Sequence, residues 1–289
     1  MSDRPVFRFA PSPNGELHLG HALSALVGYE QARAAGGRFL LRIEDIDAAR
    51  TRPEFVAGIF EDLRWLGLDW EEPVLFQSAR MPAYRSAAQR LEAMGLLYPC
   101  FATRSEIDVV ARQGERDPDG APLYPGLWKG RPQRDIDNAL AAGRPRAWRI
   151  DMAAALRAAA AILRWRPLAF VELDPGGAPL RVEARPERWG DAVIVRKDVG
   201  TSYHLAVVVD DAWQGVTHVT RGRDLYAATD LHRLLQVLLG LPERVYHHHR
   251  LIEDGDGRKL SKSARDTSLR SLREQGVGAD EIRRRVGFA

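Results

Sequence analysis

The segment RFAPSPNGELHLGHALSAL, residues 8–26, places the strongest constraint on the fold of this chain. Its first half cannot be regular structure, because Pro11 and Pro13 lack amide donors and Asn14-Gly15 is a turn signal. Its second half is typical of a helix. We therefore predict a loop that leads into a helix N-terminus, where backbone amides and the helix dipole favour anions. A phosphate group is the first expectation.

The pattern around this segment predicts an α/β fold with a parallel sheet. RFLLRIEDID (38–47) is typical of a buried strand, and EFVAGIFEDLRWLGL, after Pro53, of a helix, which together make a βαβ unit. DAVIVRKD and SYHLAVVVDD predict two more strands, and ATDLHRLLQVLLGL predicts another helix. We interpret these as two halves of one nucleotide-binding fold.

Residues 98–190 differ in character, with Pro/Gly-rich loops and the alanine-rich helix DMAAALRAAAAILRW. We interpret them as an inserted α+β subdomain. The predicted organisation is therefore a first catalytic half at 1–97, the insertion at 98–190, a second catalytic half at 191–257, and a KLSKS loop with a short helical segment at 258–289.

Composition excludes several classes of protein. No apolar run reaches the roughly 18 residues of a membrane span, and MSDRPVF has no apolar signal core, so we expect a cytoplasmic protein without a membrane partner. A single cysteine, Cys100, excludes an internal disulfide and a thiolate-rich zinc cluster. The net charge of +3 is compatible with an RNA partner without requiring one. The dinucleotide and Walker phosphate motifs are absent.

Acidic residues after the predicted strands are candidates for ligand binding, because open α/β sheets bind ligands at the carboxyl ends of strands. They are Glu44, Asp45, Asp47, Asp210 and Asp211. Helix capping or simple solvation remains an alternative for each. Of the 42 basic residues only four are lysines, and two of these, Lys259 and Lys262, lie in RKLSKS. An ammonium on a flexible stem differs chemically from a guanidinium, which favours a specific role there.

Two of these motifs carry a family resemblance. HLGH within PSPNGELHLGH and the later KLSKS resemble the two signatures of class I aminoacyl-tRNA synthetases, and RFAPSPNG, RIEDID and YHLAVVVDD extend the resemblance to the glutamyl-tRNA synthetase lineage over nearly the whole chain. The resemblance implies a Rossmann-type catalytic domain that uses ATP with Mg²⁺. It assigns catalysis to His18, His21, Lys259 and Lys262, and ATP binding to these four residues and Gly20, with the lysines on the triphosphate.

The same resemblance implies a pocket for L-glutamate. Its residues here are Arg8, Ala10, Ser12, Glu44, Tyr203 and Arg221. Arg8 and Ser12 would contact carboxylates, and Glu44 would receive the α-ammonium. Val207 stands where full-length glutamyl enzymes usually have asparagine, a replacement that the lineage's truncated branch shares.

That truncated branch often holds a zinc ion, and this chain departs from its ligand pattern. The matching positions are Cys100, Ala102, Tyr124 and Trp128, and two ligands cannot close a tetrahedral site. We predict no zinc, with the insertion held by packing around Phe101, Tyr124 and Trp128.

The RNA substrate follows from the resemblance and from what comes after KLSKS. Only 26 residues follow it, too few for an anticodon-binding domain, so we expect none. The truncated branch implies that the active site receives the anticodon stem-loop of tRNA(Asp) and esterifies glutamate to queuosine. The alternatives are a minimal enzyme that charges the 3′ end of tRNA(Glu) and a non-catalytic tRNA-binding paralogue. No protein partner is predicted.

Overall fold

The computed structural model describes residues 4–111, 114–174, 176–252 and 267–288. Its strands are β1 (Val6–Phe9), β2 (Arg38–Ile43), β3 (Glu71–Phe76), β4 (Leu97–Cys100), β5 (Ala147–Ile150), β6 (Ala169–Leu173), β7 (Pro179–Glu183), β8 (Val193–Val195), β9 (His218–Gly222) and β10 (Val245–His249). Its α-helices are α1 (Leu19–Ala34), α2 (Pro53–Trp65), α3 (Met81–Ala93), α4 (Arg104–Val110), α5 (Gln133–Ala141), α6 (Met152–Ile162), α7 (Tyr203–Trp213), α8 (Ala228–Leu238), α9 (Leu269–Glu274) and α10 (Ala279–Val286). None of the helices in these ranges is long and apolar enough to cross a membrane.

The predicted parallel sheet is confirmed. β1, β2 and β3 are parallel in the order β1-β2-β3, and β9, β10 and β6 are parallel with β7 antiparallel at the edge. Thr217 joins the two groups, because its backbone N–H donates to Val6 O at 2.9 Å and its Oγ1 accepts from Val6 N at 2.8 Å. The carboxyl ends of β1 and β9 therefore lie side by side, and this edge is where such sheets bind ligands.

The prediction of a strand over SYHLAVVVDD is wrong, because the segment forms helix α7. Ser202 caps the helix by accepting from Leu205 N, and the apolar run is buried against α3 and α8. A continuous apolar run has no periodicity that separates a buried strand from a buried helix. Asp210 and Asp211 thus lie in the last turns of α7 and do not follow a strand.

An antiparallel sheet in the order β4-β5-β8 joins strands of the predicted insertion to β8. The predicted bounds of the insertion, 98–190, remain a prediction. Strands inside these bounds pair with strands outside them. β6, within these bounds, pairs with β10, whereas β8, beyond them, pairs with β5. The predicted strand in DAVIVRKD is confirmed as β8, although it belongs to the antiparallel sheet.

Helices α9 and α10 pack against the start of the chain. Leu269 and Ile282 are completely buried in the core cluster that contains α1. Leu269 N donates to Leu17 O at 2.8 Å, and Ser268 forms an antiparallel bridge with His18. The last described segment therefore lies beside the loop that precedes α1.

Candidate active site

A pocket of about 450 Å³ opens at the carboxyl ends of β1 and β9. Every described residue that the family resemblance assigns to the site lines it, namely Arg8, Ala10, Ser12, His18, Gly20, His21, Glu44, Tyr203 and Arg221, whereas the acidic candidates Asp45, Asp47, Asp210 and Asp211 do not. Ala10 and Ser12 belong to the loop after β1, which is tied to β2 because Glu44 N donates to Pro11 O at 3.0 Å. Residues from both predicted catalytic halves thus share one site, although their individual roles remain predictions.

The start of α1 forms one wall of this pocket. His18 is the N-cap, and its Nδ1 accepts from Gly20 N at 3.1 Å, while His21 Nδ1 accepts from His18 N at 3.2 Å. Since Nδ1 is an acceptor in both rings, each neutral imidazole carries its proton on Nε2. The two ring centroids lie 3.9 Å apart. This arrangement places two imidazole donors and the positive end of a helix dipole together, which favours a phosphate.

Gly20 is required by this cap. A Cβ added at Gly20 would lie 2.9 Å from His18 Cε1 and 3.1 Å from His18 Nδ1. A side chain there would displace the His18 ring, so the glycine makes room for a histidine of the same motif.

A buried charge network supports the floor of the pocket. Asp211 accepts from Arg8 Nε at 3.1 Å and from Arg42 Nη1 at 2.8 Å. Arg42 Nη2 donates in turn to Glu44 at 3.3 Å. Two arginines and two carboxylates therefore hold one another, and the side chains of Arg8 and Glu44 that line the pocket are fixed by partners behind them.

The network shifts the pKa values of its acids in opposite directions. Burial raises the pKa of Glu44, and the nearby charges of Arg42 and Arg8 oppose this only in part. Burial also acts to raise the pKa of Asp211, but Arg8 and Arg42 outweigh it and lower the pKa to about 2. Asp211 therefore stays ionised in the network. The ionised form of Glu44 is the one that an additional cation would stabilise most.

Arg221 and Tyr203 form another part of the pocket lining. Arg221 Nη1 donates to the Tyr203 hydroxyl at 3.3 Å, and the guanidinium lies 5.4 Å from the centre of the Tyr246 ring. Burial raises the pKa of Tyr203, so its hydroxyl stays protonated near neutral pH. Val207 lies one turn further along α7 and is buried in the core.

Lys259 and Lys262 lie outside the described residues. Of the described residues on either side of this segment, Ile252 lines the pocket and Ser268 pairs with His18, which lines it. The positions of the two lysines remain predictions.

The positions matching the zinc ligands are occupied by a packed cluster. Cys100 Sγ donates to the Tyr124 hydroxyl at 3.3 Å, which also accepts from Trp128 N at 2.8 Å. The rings of Phe101 and Trp128 lie 4.7 Å apart. The predicted packing is confirmed, and the absence of zinc stays a prediction.

Several supporting residues of the site were not predicted from the sequence or, like Asp211, were predicted in another role. Arg42 and Asp211 form the network behind Arg8, and Thr229, His232 and His248 surround Arg221. Asp211 was a candidate for the wrong reason, as an acid after a strand. The histidines had no motif, and only their convergence in the fold identifies them.

Comparisons with known proteins agree with this geometry. The sequence model of the tRNA synthetases class I (E and Q), catalytic domain, matches residues 6–157 and 177–286. The chain belongs to this family. The match covers the strands and helices that build the pocket.

Two curated relatives and one solved structure are similar over almost the whole chain. The glutamyl-Q tRNA(Asp) synthetase of Rhodobacter capsulatus is 46% identical over 98% of this chain and 100% of the relative. That of Symbiobacterium thermophilum is 39% identical over 95% of this chain and 83% of the relative. The crystal structure of a glutamate-tRNA synthetase from Elizabethkingia anophelis is 26% identical with a TM-score of 0.71, and it covers 95% of this chain. This chain spans 54% of that synthetase.

Proposed function

We propose that this protein activates L-glutamate with ATP and transfers it to queuosine in the anticodon of tRNA(Asp). The observation that carries the proposal is the pocket, which is lined by all the glutamate and ATP residues of the family resemblance that the structure describes. The acceptor rests on the 46% identity to a relative named for that reaction.

The charges of the pocket suit an amino acid with two carboxylates. Arg221 has no carboxylate within ion-pair distance among the described residues, so its positive charge attracts an anionic group. Glu44, whose charged form is disfavoured by burial, gains from the α-ammonium of the substrate. Arg8 adds positive charge close to both.

Activation requires orientation and charge and needs no covalent enzyme intermediate. The glutamate α-carboxylate oxygen attacks the α-phosphorus of ATP, and the bond to the departing pyrophosphate breaks. His18 and His21, with the amides of α1, are positioned for the triphosphate, and Lys259 and Lys262 supply charge as pyrophosphate leaves. The described residues offer no cluster of three or more potential metal ligands, so we assign the expected Mg²⁺ to the ATP phosphates.

Transfer then uses a hydroxyl of the RNA. A hydroxyl of the queuosine cyclopentene-diol attacks the carbonyl carbon of the adenylate, the bond to AMP breaks, and an ester forms. Anticodon loops present splayed bases, which are the usual targets of specific RNA recognition.

A second candidate is aminoacylation of tRNA(Glu). The likeness to a glutamate-tRNA synthetase at a TM-score of 0.71 favours it, because the same adenylate would serve both acceptors. The two candidates share the pocket and differ only in the RNA.

Amino acid–dependent exchange of pyrophosphate into ATP, measured without RNA, tests the first step. We expect exchange with glutamate and none with aspartate or glutamine. Exchange with either of these, but not with glutamate, contradicts the pocket assignment. Exchange with glutamate that requires added tRNA favours the second candidate, because the family's full-length glutamyl enzymes generally need their tRNA for this step.

A further inference from the structure

Arg221 and Arg8 line the same pocket but are held by different kinds of partner. Arg8 is paired with the carboxylate of Asp211. Arg221 is only 4% exposed and has four uncharged acceptors around it: the hydroxyls of Tyr203 and Thr229 and the imidazoles of His232 and His248. Uncharged acceptors satisfy a buried guanidinium without cancelling its charge.

The hydrogen bonds that Arg221 donates determine which nitrogen of each imidazole carries no proton. Its Nε donates to His248 Nε2 at 3.1 Å, and its Nη1 donates to His232 Nδ1 at 3.2 Å as well as to Tyr203. Its Nη2 donates to Thr229 Oγ1 at 2.7 Å. A guanidinium has five N–H groups and accepts nothing, so one Nη2 N–H is left for a ligand in the pocket.

Each histidine uses its other ring nitrogen to donate a hydrogen bond to a residue other than Arg221. His232 accepts at Nδ1, so its Nε2–H donates to His204 Nδ1 at 3.2 Å. His248 accepts at Nε2, so its Nδ1–H donates to Glu172 Oε2 at 2.8 Å, and Glu172 also accepts from His248 N at 2.9 Å. Thr229 Oγ1 lies 3.3 Å from His248 Nε2 and closes a ring between the two acceptors.

We propose that His232 and His248 are positioning residues, which act as neutral acceptors that hold Arg221 so that its remaining Nη2 N–H meets a carboxylate of the amino acid. The proposal rests on the proposed function only for the identity of that amino acid. His204 accepts the hydrogen bond from His232 and Glu172 accepts the one from His248, and these bonds hold each histidine in its tautomer.

The charged and titratable groups packed around Arg221 agree with neutral imidazoles. They include Tyr203 and His204 on α7, Tyr226 just before α8 and His232 on it, Tyr246, His247 and His248 on β10, Glu172 on β6 and Arg8 on β1. Burial, followed by the charge of Arg221, lowers the pKa of His204 to about 4 and that of His232 well below its usual value. Burial also lowers the pKa of His248 to about 4, although Glu172 opposes this.

Nuclear magnetic resonance of the ¹⁵N-histidine-labelled full chain at pH 7 tests the network without any reaction. We expect the Nε2–H tautomer for His232 and the Nδ1–H tautomer for His248, both neutral. A charged ring or the opposite tautomer at either position overturns the proposal. Because no amino acid is present, this result does not depend on which substrate the pocket takes.

Kinetics of pyrophosphate exchange then test the effect on the substrate. His232→Leu removes the acceptor, and we expect the KM for glutamate to rise about 10- to 100-fold with the KM for ATP unchanged. His232→Gln restores an acceptor and should recover most of that loss. His247→Leu is the control for loss of a partly buried histidine, since His247 neighbours His248 on β10 but contacts Gln31 at 2.7 Å and not Arg221.

A double variant separates positioning from general stability. In an Arg221→Met background, His232→Leu should add little to the KM for glutamate, because the two side chains act as a unit. Additive effects, or equal rises in the KM of ATP and of glutamate, overturn the proposal. Wild-type exchange with a different amino acid contradicts the proposed function alone, and the same variants are then compared on that amino acid.

Discussion

Asp211 and Arg8 form a two-pronged buried ion pair, with Nε to Oδ1 at 3.1 Å and Nη2 to Oδ2 at 3.4 Å. The pair joins β1 to α7, and the same Asp211 oxygen also binds Arg42 at 2.8 Å. One carboxylate therefore anchors two arginines from neighbouring strands. The pocket wall that contains Arg8 is fixed before any substrate arrives.

Replacing Asp211 by asparagine should lower the free energy of unfolding by about 3–5 kcal/mol, because it removes the carboxylate that pairs with two buried guanidinium groups, those of Arg8 and Arg42. Urea unfolding measures the loss. Asp198→Asn is the control, since that carboxylate is 58% exposed and pairs with Arg196 at the surface, where such pairs contribute about 1 kcal/mol or less. A loss for Asp211→Asn no larger than that of the control would contradict the anchoring role.

Glu44 should make glutamate binding pH-dependent. Burial raises its pKa, and only the ionised form carries a charge for the substrate ammonium, so the KM for glutamate should rise as the pH falls through that raised pKa. Glu44→Gln should have a high KM for glutamate at every pH and should lack the rise at low pH. Titration of the substrate affects both proteins equally, so it cancels when the KM of the variant is compared with that of wild type at each pH. Glu274→Gln, which changes an exposed carboxylate paired with Arg270 on α9, should keep the wild-type profile. Identical pH profiles for wild type and Glu44→Gln would exclude Glu44 as the ammonium partner.

Gly20→Ala should raise the KM for ATP about tenfold or more, because the new Cβ lies 2.9 Å from His18 Cε1 and displaces the ring that caps α1. Pyrophosphate exchange at varied ATP measures the effect. Gly58→Ala in α2 is the control: a Cβ there meets nothing within 4 Å, and we expect normal kinetics with slightly higher stability. An unchanged KM in Gly20→Ala would mean that the His18 position does not matter to ATP.

The purified protein should contain no stoichiometric zinc, because Ala102 and Trp128 replace two of the four ligands and Cys100 is engaged with Tyr124. Elemental analysis and melting with and without a chelator check this. One zinc ion per chain, or a melting temperature lowered by the chelator, would refute the prediction.

The sequence predicted the parts of the fold whose signals are local. Local features predict three of these parts: the prolines predict the loop before α1, Pro53 predicts the start of α2, and a buried apolar run predicts β2. Helix α7 was missed because its apolar run is buried on several sides, and burial depends on α3 and α8, which the local pattern does not contain.

The pocket residues were predictable and their supports were not. Arg8, Glu44 and Arg221 lie in or beside recognisable motifs. The partners that hold them, such as Asp211, His232 and His248, come from other elements and meet only after the chain has folded. The tautomer of a histidine and the sharing of a carboxylate between two arginines depend on which side chains meet in the folded chain. The spacing of residues along the sequence does not predict them.

The most direct test of the account is the RNA acceptor. A tRNA(Asp) anticodon stem-loop that carries queuosine should accept labelled glutamate, the same hairpin with guanosine should not, and whole tRNA(Asp) without its 3′-terminal adenosine should still accept. If removal of that adenosine abolishes transfer, or if tRNA(Glu) is the better acceptor, the protein charges the 3′ end of tRNA and the proposed reaction is contradicted.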